Sequence, residues 1–316
     1  MKCLAALLLF AGVASLLTAQ QLTAQQLTAQ QPAAQQLTAQ QPAAQQPGSL
    51  DDLRRVAKMI PGGRPLRINV LKFAESPRTK NFAVKGAPAD PGGQSRTVFQ
   101  VVYPDGYIMI DSGMDEPVHK TFGHGAAEPF DAAAEERIQQ ALRGARSIVM
   151  THEHGDHVAG VIRSRYFDEL APKTVLTRTQ AQTLMTAPQM PEIRMTAEMA
   201  RRFIVIDYDN YFPFAPGIAL MKAAGHTPGS QMIYVALASG AEYLFVGDSA
   251  WHMDNILLMK GKDASWVKED EAAVDAQLKW LNAIGRTEKN VTIVVSHDGD
   301  QHKRYIEQHL LGGALE

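Results

Sequence analysis

Thr151-His152-Glu153-His154-Gly155-Asp156-His157 gathers imidazoles and a carboxylate just after a short apolar run at 147–150. Histidine and aspartate are ligands for divalent cations, and their spacing here suits two of them. At an extended strand end, residues two apart point to the same side, so His152 and His154 can share one metal. Gly155 lets the chain turn, and Asp156 and His157 then project elsewhere, toward a second, adjacent position. Loops that leave strand ends are where such sites are built. Taken singly, each residue has a plainer reading: Asp156 as the cap of a helix beginning at His157, or a lone histidine as a polar surface group. Taken together, they read as a metal cluster.

Three distant residues occupy comparable places. His226 lies in the turn Gly225-His226-Thr227-Pro228-Gly229-Ser230, Asp248 closes the run Leu244-Phe245-Val246-Gly247, and His297 follows Val294-Val295-Ser296. Alone, these are a turn residue, a strand-end cap and a core histidine. The recurrence of an apolar strand followed by His or Asp points instead to one shared site.

Such residues need elements to carry them. Runs at 66–73, 97–103 and 107–110 are β-rich, the last two joined across Pro104-Asp105-Gly106, a hairpin signal. Phe130, Ala134, Ile138 and Leu142 recur at helical spacing, with Asp131 as cap and Gly144 past the end. A short buried strand at 147–150 leads into the histidine cluster. Further strands are predicted at 203–206, 218–221, 232–236, 243–246 and 291–295. Helices are predicted at 271–284, stopped by Gly285, and at 301–311, stopped by Gly312. Two strand-rich halves, each closed by helices, predict two sheets packed together with helices outside. No linker interrupts residues 50–316, so they read as one catalytic domain.

Composition narrows the chemistry. Against ten histidines there is one cysteine, Cys3, so the rest of the chain can form neither a disulfide nor a zinc-thiolate site. Any metal must be held by His and carboxylates. Thirty-one Lys and Arg against thirty-three Asp and Glu give a net charge of −2, which offers no basic excess for nucleic acid. The N-terminus reads as processing rather than fold. Met1-Lys2, an apolar run at 4–17 and Leu17-Thr18-Ala19 have the form of a signal peptide at 1–19, too short to span a membrane comfortably. Pentapeptides of the form QQLTA and QQPAA follow, and residues 20–49 read as a disordered linker. The expectation is an exported, periplasmic or secreted protein, free of the membrane once the signal is cleaved.

The order His-x-His-x-Asp-His, then His226, Asp248 and His297, resembles the metallo-β-lactamase-fold hydrolase superfamily over roughly residues 65–311. The resemblance implies an α/β fold, an αββα sandwich of two mixed β-sheets flanked by helices. It also implies that His152, His154 and His226 hold one metal, that Asp156, His157 and His297 hold another, and that Asp248 bridges the two. Ile110-Asp111-Ser112-Gly113 resembles the early strand-end Asp of the superfamily, which orients the metal loops from outside the ligand set. On the residues alone, Asp111 equally caps its own turn. Two divalent ions are implied, zinc first, with iron and manganese suiting the same donors.

Two cations sharing a water lower its pKa enough to make hydroxide available near neutral pH. Asp156 and Asp248 are then the catalytic carboxylates, Asp156 moving a proton to the leaving group. A small-molecule substrate with a lactone or other ester bond is expected. Ser296-His297-Asp298 with Gln301, and the 22-residue step from His226 to Asp248, resemble N-acyl homoserine lactonase-like members. That group carries Tyr three residues after the bridging Asp, where this chain has Trp251, so an indole NH stands in place of a phenol. Trp251 and His252 are expected at the pocket wall. The Gly225–Ser230 turn with Ser249 is also similar to exported, cysteine-free β-lactamases, which makes amide hydrolysis the alternative. A non-catalytic metal-binding protein is the third reading. Met185, Met190, Met195 and Met199 read as core filling under a loop, or as a pliable apolar lid. His119, His124, His302 and His309 read as surface or loop residues.

Overall fold

The computed structural model describes residues 48–316, so the expected signal peptide at 1–19 and all but the last two residues of the expected linker at 20–49 lie outside the described residues. Eleven strands among them form two sheets. The first sets β1 (Arg67–Thr79), β2 (Pro91–Tyr103), β3 (Gly106–Ile110), β4 (Ser147–Val149), β5 (Thr174–Thr177) and β6 (Ile204–Ile206) side by side in chain order. The second is built from β7 (Tyr211–Ala215), β8 (Ile218–Lys222), β9 (Gln231–Ala236), β10 (Glu242–Phe245) and β11 (Val291–Val294), in the order β11-β10-β9-β8-β7. Both sheets are mixed. β1, β2 and β3 pair antiparallel and β3 to β6 parallel, while in the second sheet β10 and β11 form the parallel pair.

The apolar side chains sort into layers that explain this arrangement. Ile68, Val70, Phe99, Val101, Ile110 and Val149 of the first sheet pack against Ile218, Leu220, Ile233, Val235 and Phe245 of the second. On the outer face of the first sheet, the helix Ala132–Gly144 buries Ala134, Ile138 and Leu142, the residues that recur at helical spacing. Its Asp131 cap accepts from the Ala134 amide at 2.8 Å. On the outer face of the second sheet, the helix Glu271–Thr287 buries Val274, Leu278 and Leu281 beside Leu53 and Val56 of Leu50–Val56. Helix, sheet, sheet, helix is the αββα order expected from the sequence.

Several local expectations need correction. The helix predicted to stop at Gly285 runs on to Thr287, because a helical glycine costs only about 1 kcal/mol and nothing there requires an unusual φ. His119 and His302 are buried, 1% and 4% exposed, whereas His124 and His309 are exposed as read. Asp156 caps nothing: the helix Gly155–Ile162 starts two residues before the expected His157, with His154 at its N-cap. The methionines at 185–199 fill core. Met190 and Met195 are buried, with Met185 and Met199 packed against the same cluster.

Candidate metal centre

Four parallel strands bring the candidate residues to one end of the sandwich. β3 ends in Asp111 and its parallel neighbour β4 ends before Thr151, so the two strand ends lie side by side. Across the sandwich, the parallel pair β10 and β11 delivers Asp248 and His297 together, and the turn after β8 supplies His226. Tight backbone approaches fix these loops. Gly247 has φ 52°, and a Cβ there would stand 3.1 Å from the Thr151 Cβ, so glycine is required just before Asp248. Asp111 itself has φ 61°, a left-handed conformation held by the bonds that its carboxylate makes to Thr151 and His157.

The seven sequence-predicted ligands converge as two groups. His152, His154, His226 and Asp248 place their donor atoms within 4.8 Å of one another, and so do Asp156, His157 and His297. Asp248 lies between them. Its Oδ2 stands 3.3 Å from His226 Nε2 and 3.6 Å from His152 Nε2, while its Oδ1 stands 3.4 Å from His157 Nε2 and 3.2 Å from His297 Nε2. His297 Nε2 is also 3.2 Å from Oδ2, so the carboxylate sits between the groups, with Oδ2 facing both and Oδ1 facing the second. The residues fit a metal on a further count: His152 Nε2, His157 Nε2 and Asp248 Oδ1 are buried with no hydrogen-bond partner. Buried polar atoms are almost always satisfied, so three orphans aimed at one space are what a cation would complete.

Four of the five imidazoles are oriented from behind through their other nitrogen, while His154 Nδ1 stands 3.0 Å from His226 Nε2. His157 Nδ1 donates to Asp111 Oδ2 at 2.8 Å, and Thr151 donates to the same carboxylate through its amide at 2.7 Å and its hydroxyl at 2.8 Å. His152 Nδ1 is 3.1 Å from the Thr151 hydroxyl, and His297 Nδ1 donates to the Ser95 carbonyl at 2.8 Å. His226 Nδ1 pairs with Glu269, whose charge is met by Lys262 at 2.7 Å. Lys262 also donates to the Asp248 carbonyl at 2.6 Å. Glu153, between the two paired histidines, accepts from the Thr227 hydroxyl at 2.8 Å and the Gly229 amide at 3.1 Å, pinning the His226 turn to the His cluster.

The electrostatics favour ligand forms. Burial pulls His152 well below its usual pKa, with the neighbouring His157 adding to the effect, and burial with His226 takes His154 to about 3. Both are neutral and offer lone pairs at neutral pH. Burial pushes the two carboxylates up, but it is outweighed: His297, His152 and His157 hold Asp248 far below its usual value, and Arg96, His157 and His297 hold Asp156 at about 2. His157 is raised, since Asp156, Asp111 and Asp248 overcome its burial, so without a cation it keeps a proton that metal binding would expel.

The pocket residues fall differently. Trp251 is buried, stacks on Phe82 at 5.4 Å and donates its indole NH to Asp248 Oδ2 at 2.8 Å. That NH is engaged with a ligand carboxylate and is not directed at open space. His252 stands 3.0 Å from the Gly93 carbonyl, its pKa lowered by burial. Of the seven candidate ligands, His154 alone is partly exposed. Sequence reasoning missed Arg96, Glu153, Lys262 and Glu269. Glu153 was within reach as a charged residue inside a buried motif, whereas the others come from strands and loops that only the fold brings near.

A two-sheet sandwich with buried His and Asp ligands at the ends of its strands defines a metal-dependent hydrolase. The chain belongs to the metallo-beta-lactamase superfamily, whose family model matches residues 90–297. It is 22% identical over 213 residues to the N-acyl homoserine lactonase AiiA of Bacillus thuringiensis subsp. kurstaki, covering 63% of this chain and 79% of that protein. Among solved structures, it is similar to an N-acyl homoserine lactone hydrolase with N-hexanoyl-L-homoserine bound at its catalytic metal center. That match has a TM-score of 0.59 and 15% identity, over 76% of this chain and 96% of that one. The dizinc quorum-quenching lactonase AidC gives a TM-score of 0.54 at 15% identity, over 75% and 91%. At such identities the structural likeness speaks for the fold.

Proposed function

We propose that the protein is an exported, dinuclear metal-dependent hydrolase that opens a lactone or related ester bond in a small molecule. The observation that carries this reading is the placement of the Asp248 carboxylate between the two groups, within 3.6 Å of histidines from both. Two divalent ions, zinc first, would supply a polarised substrate oxygen and an acidified water for attack. The chain's own residues do the rest. His152, His154 and His226 hold one position, and Asp156, His157 and His297 the other. Asp111, Glu269 and Ser95 fix the imidazoles that they back. Asp156, kept ionised with Arg96 on its carboxylate, is the group proposed to accept a proton and move it to the leaving oxygen. The substrate enters past the exposed edge of His154. The lactone preference draws on the lactonase relatives, and export on Met1-Lys2 and the apolar run at 4–17.

Metal analysis of residues 48–316, followed by assays on N-acyl homoserine lactones, β-lactams, thioesters and phosphoesters, tests this directly. Two equivalents of metal and turnover of lactones are expected. Hydrolysis of β-lactams without lactones would transfer the reading to amide chemistry, and metal loading with no turnover on any panel would reduce the site to binding. Asp248→Ala should lower activity by more than about a hundredfold and reduce metal content, since losing a shared ligand exceeds the loss of an outer partner. A fully loaded, fully active variant would remove the bridging role. Export is checked by fractionating cells that express the full chain, with the mature protein expected outside the cytoplasm.

A further inference from the structure

Behind the second group of ligands stands a buried cation. Arg96 of β2 is 5% exposed and pairs with Asp156, the one carboxylate that belongs to that group alone. The contact is on Oδ2, the same oxygen that stands 3.5 Å from Nε2 of both His157 and His297. Arg96 is held there by design of its surroundings. Nη2 is 3.2 Å from the Ser76 hydroxyl, and the guanidinium lies over the Phe122 ring at 4.9 Å. Its Nε has no partner among the described residues. The first group has no counterpart. Lys262 reaches Glu269 and the backbone carbonyl of Asp248, not a ligand atom.

We infer that Arg96 sets the metal affinity of the Asp156–His157–His297 position, so that the two metals bind in separate steps and the second binds more weakly than it would beside an unpaired Asp156. This rests on the dinuclear reading above and deepens it. A guanidinium on the ligand oxygen opposes an incoming dication in two ways: like-charge repulsion at short range inside the protein, and competition for the oxygen's lone pairs. A metal entering this position must share Oδ2 with Arg96 or turn the carboxylate, and either route weakens a buried ion pair. Occupancy of the second position then follows the free metal concentration, while the first stays filled. Arg96 is a positioning residue in this account, since it acts through Asp156.

The experiment is calorimetric titration of the metal-free protein with zinc, paired with metal content after dialysis against graded chelator. Wild type should bind two equivalents in two resolved steps. Arg96→Met, which keeps bulk and removes charge, should leave the first step in place and tighten the second at least about tenfold. Arg96→Lys, which keeps the charge, should retain the weaker second step. If Arg96→Met binds two equivalents with the second step unchanged or weakened, or if Arg96→Lys behaves as Arg96→Met, the role of Arg96 is overturned and the dinuclear reading stands. Uptake of one equivalent by wild type and variants alike at saturating zinc would overturn the dinuclear reading itself. The first step doubles as a folding control. Should Arg96→Met lose it, Ser76→Ala, which loosens the guanidinium, asks the same question and should shift the second step in the same direction.

Discussion

Asp111 shows how much of this site depends on a residue that would touch no metal. Its carboxylate accepts from Thr151 twice and from His157 Nδ1, so it fixes the loop, the imidazole and the tautomer at once. Asp111→Asn keeps the size and tolerates the left-handed backbone, but an amide cannot accept all three donors. It turns one NH2 toward a group that is itself a donor. Outer partners of this kind are worth about 10–100-fold in metal affinity. The expected outcome is a loss of that size at the His157 position alone, read as one equivalent retained and one lost on dialysis. Equal loss from both groups would mean that Asp111 holds the loop and not the ligand. The same logic explains which residues the sequence disclosed. His152, His154, Asp156 and His157 share a short stretch of chain, so spacing exposes them. Arg96, Lys262 and Glu269 act from 60, 14 and 43 residues away from their partners Asp156, Asp248 and His226, and no local pattern marks them.

At the scale of elements, legibility followed the length of the apolar run, so β5, fully buried but with only Val175 and Leu176 apolar, went unread. The strands with clear apolar runs were readable in place, because a half-buried or buried strand is set by its own side chains. Two prolines hid others: Pro77 lies within β1 and Pro213 within β7, and both are edge strands, where a missing ladder donor faces outward. A reading that treats proline as a breaker ends β1 early and omits β7. The helix Gly155–Ile162, which carries Asp156 and His157, was read only as an alternative that began at His157. All eight of its residues are buried and its first turn is the candidate ligand motif, so the chemistry of the motif masks the element. Its packing gives a prediction. A Cβ on Gly160 would sit 1.9 Å from the Ser112 carbonyl oxygen, whereas one on Gly285 meets only Ile293 Cδ1 at 3.7 Å. Gly160→Ala should therefore destabilise by about 1–3 kcal/mol through overpacking and displace the metal-bearing helix. Gly285→Ala should stabilise by about 0.5–1 kcal/mol. Urea unfolding of both variants checks the contrast, and equal effects would refute the packing argument.

The C-terminal helix Gly299–Glu307 offers a pH reading of the same kind. His302 donates from Nε2 to the Val295 carbonyl at 2.8 Å, its Nδ1 is buried without a partner, and burial takes its pKa from the ordinary 6.5 to about 4. Between those values the unfolded chain binds a proton that the folded protein refuses. Stability from this group is therefore complete above about pH 6.5 and is lost as the pH falls through about 4. The amount is on the order of 3 kcal/mol. His302→Gln should flatten the fall in unfolding free energy between pH 7 and 4 by that order, and an unchanged slope would show that His302 is free to protonate in the fold.

At the scale of the whole molecule, the candidate metal centre lies between the two sheets, placed to clasp them. Asp111 and the His152–His157 loop come from the first sheet, and His226, Asp248 and His297 from the second. The seam is otherwise closed by backbone and hydroxyl bonds: Gln231 to the Thr151 carbonyl at 2.9 Å, Ser95 to the His297 carbonyl at 3.0 Å, and the Thr97 hydroxyl to the Ser296 carbonyl at 3.0 Å. Without a cation, the clasp holds two ionised carboxylates, Asp156 and Asp248, beside imidazoles that are partly starved of partners. A cation that binds the folded chain and not the unfolded one stabilises by RT ln(1 + [M]/Kd), about 2.7 kcal/mol at a hundredfold excess over Kd. For a domain of this length each kcal/mol moves Tm by roughly 2–4 °C, so chelation should lower Tm by about 5–10 °C and added zinc should restore it. Asp248→Ala should show a clearly smaller zinc-dependent rise in Tm, because it loses the carboxylate shared by the two groups while His226 and His297 still reach across the seam. Calorimetric scans of both proteins, with chelator and with saturating zinc, decide the matter. A wild-type Tm indifferent to zinc would show that the sheets are held by their apolar interface and the seam bonds alone.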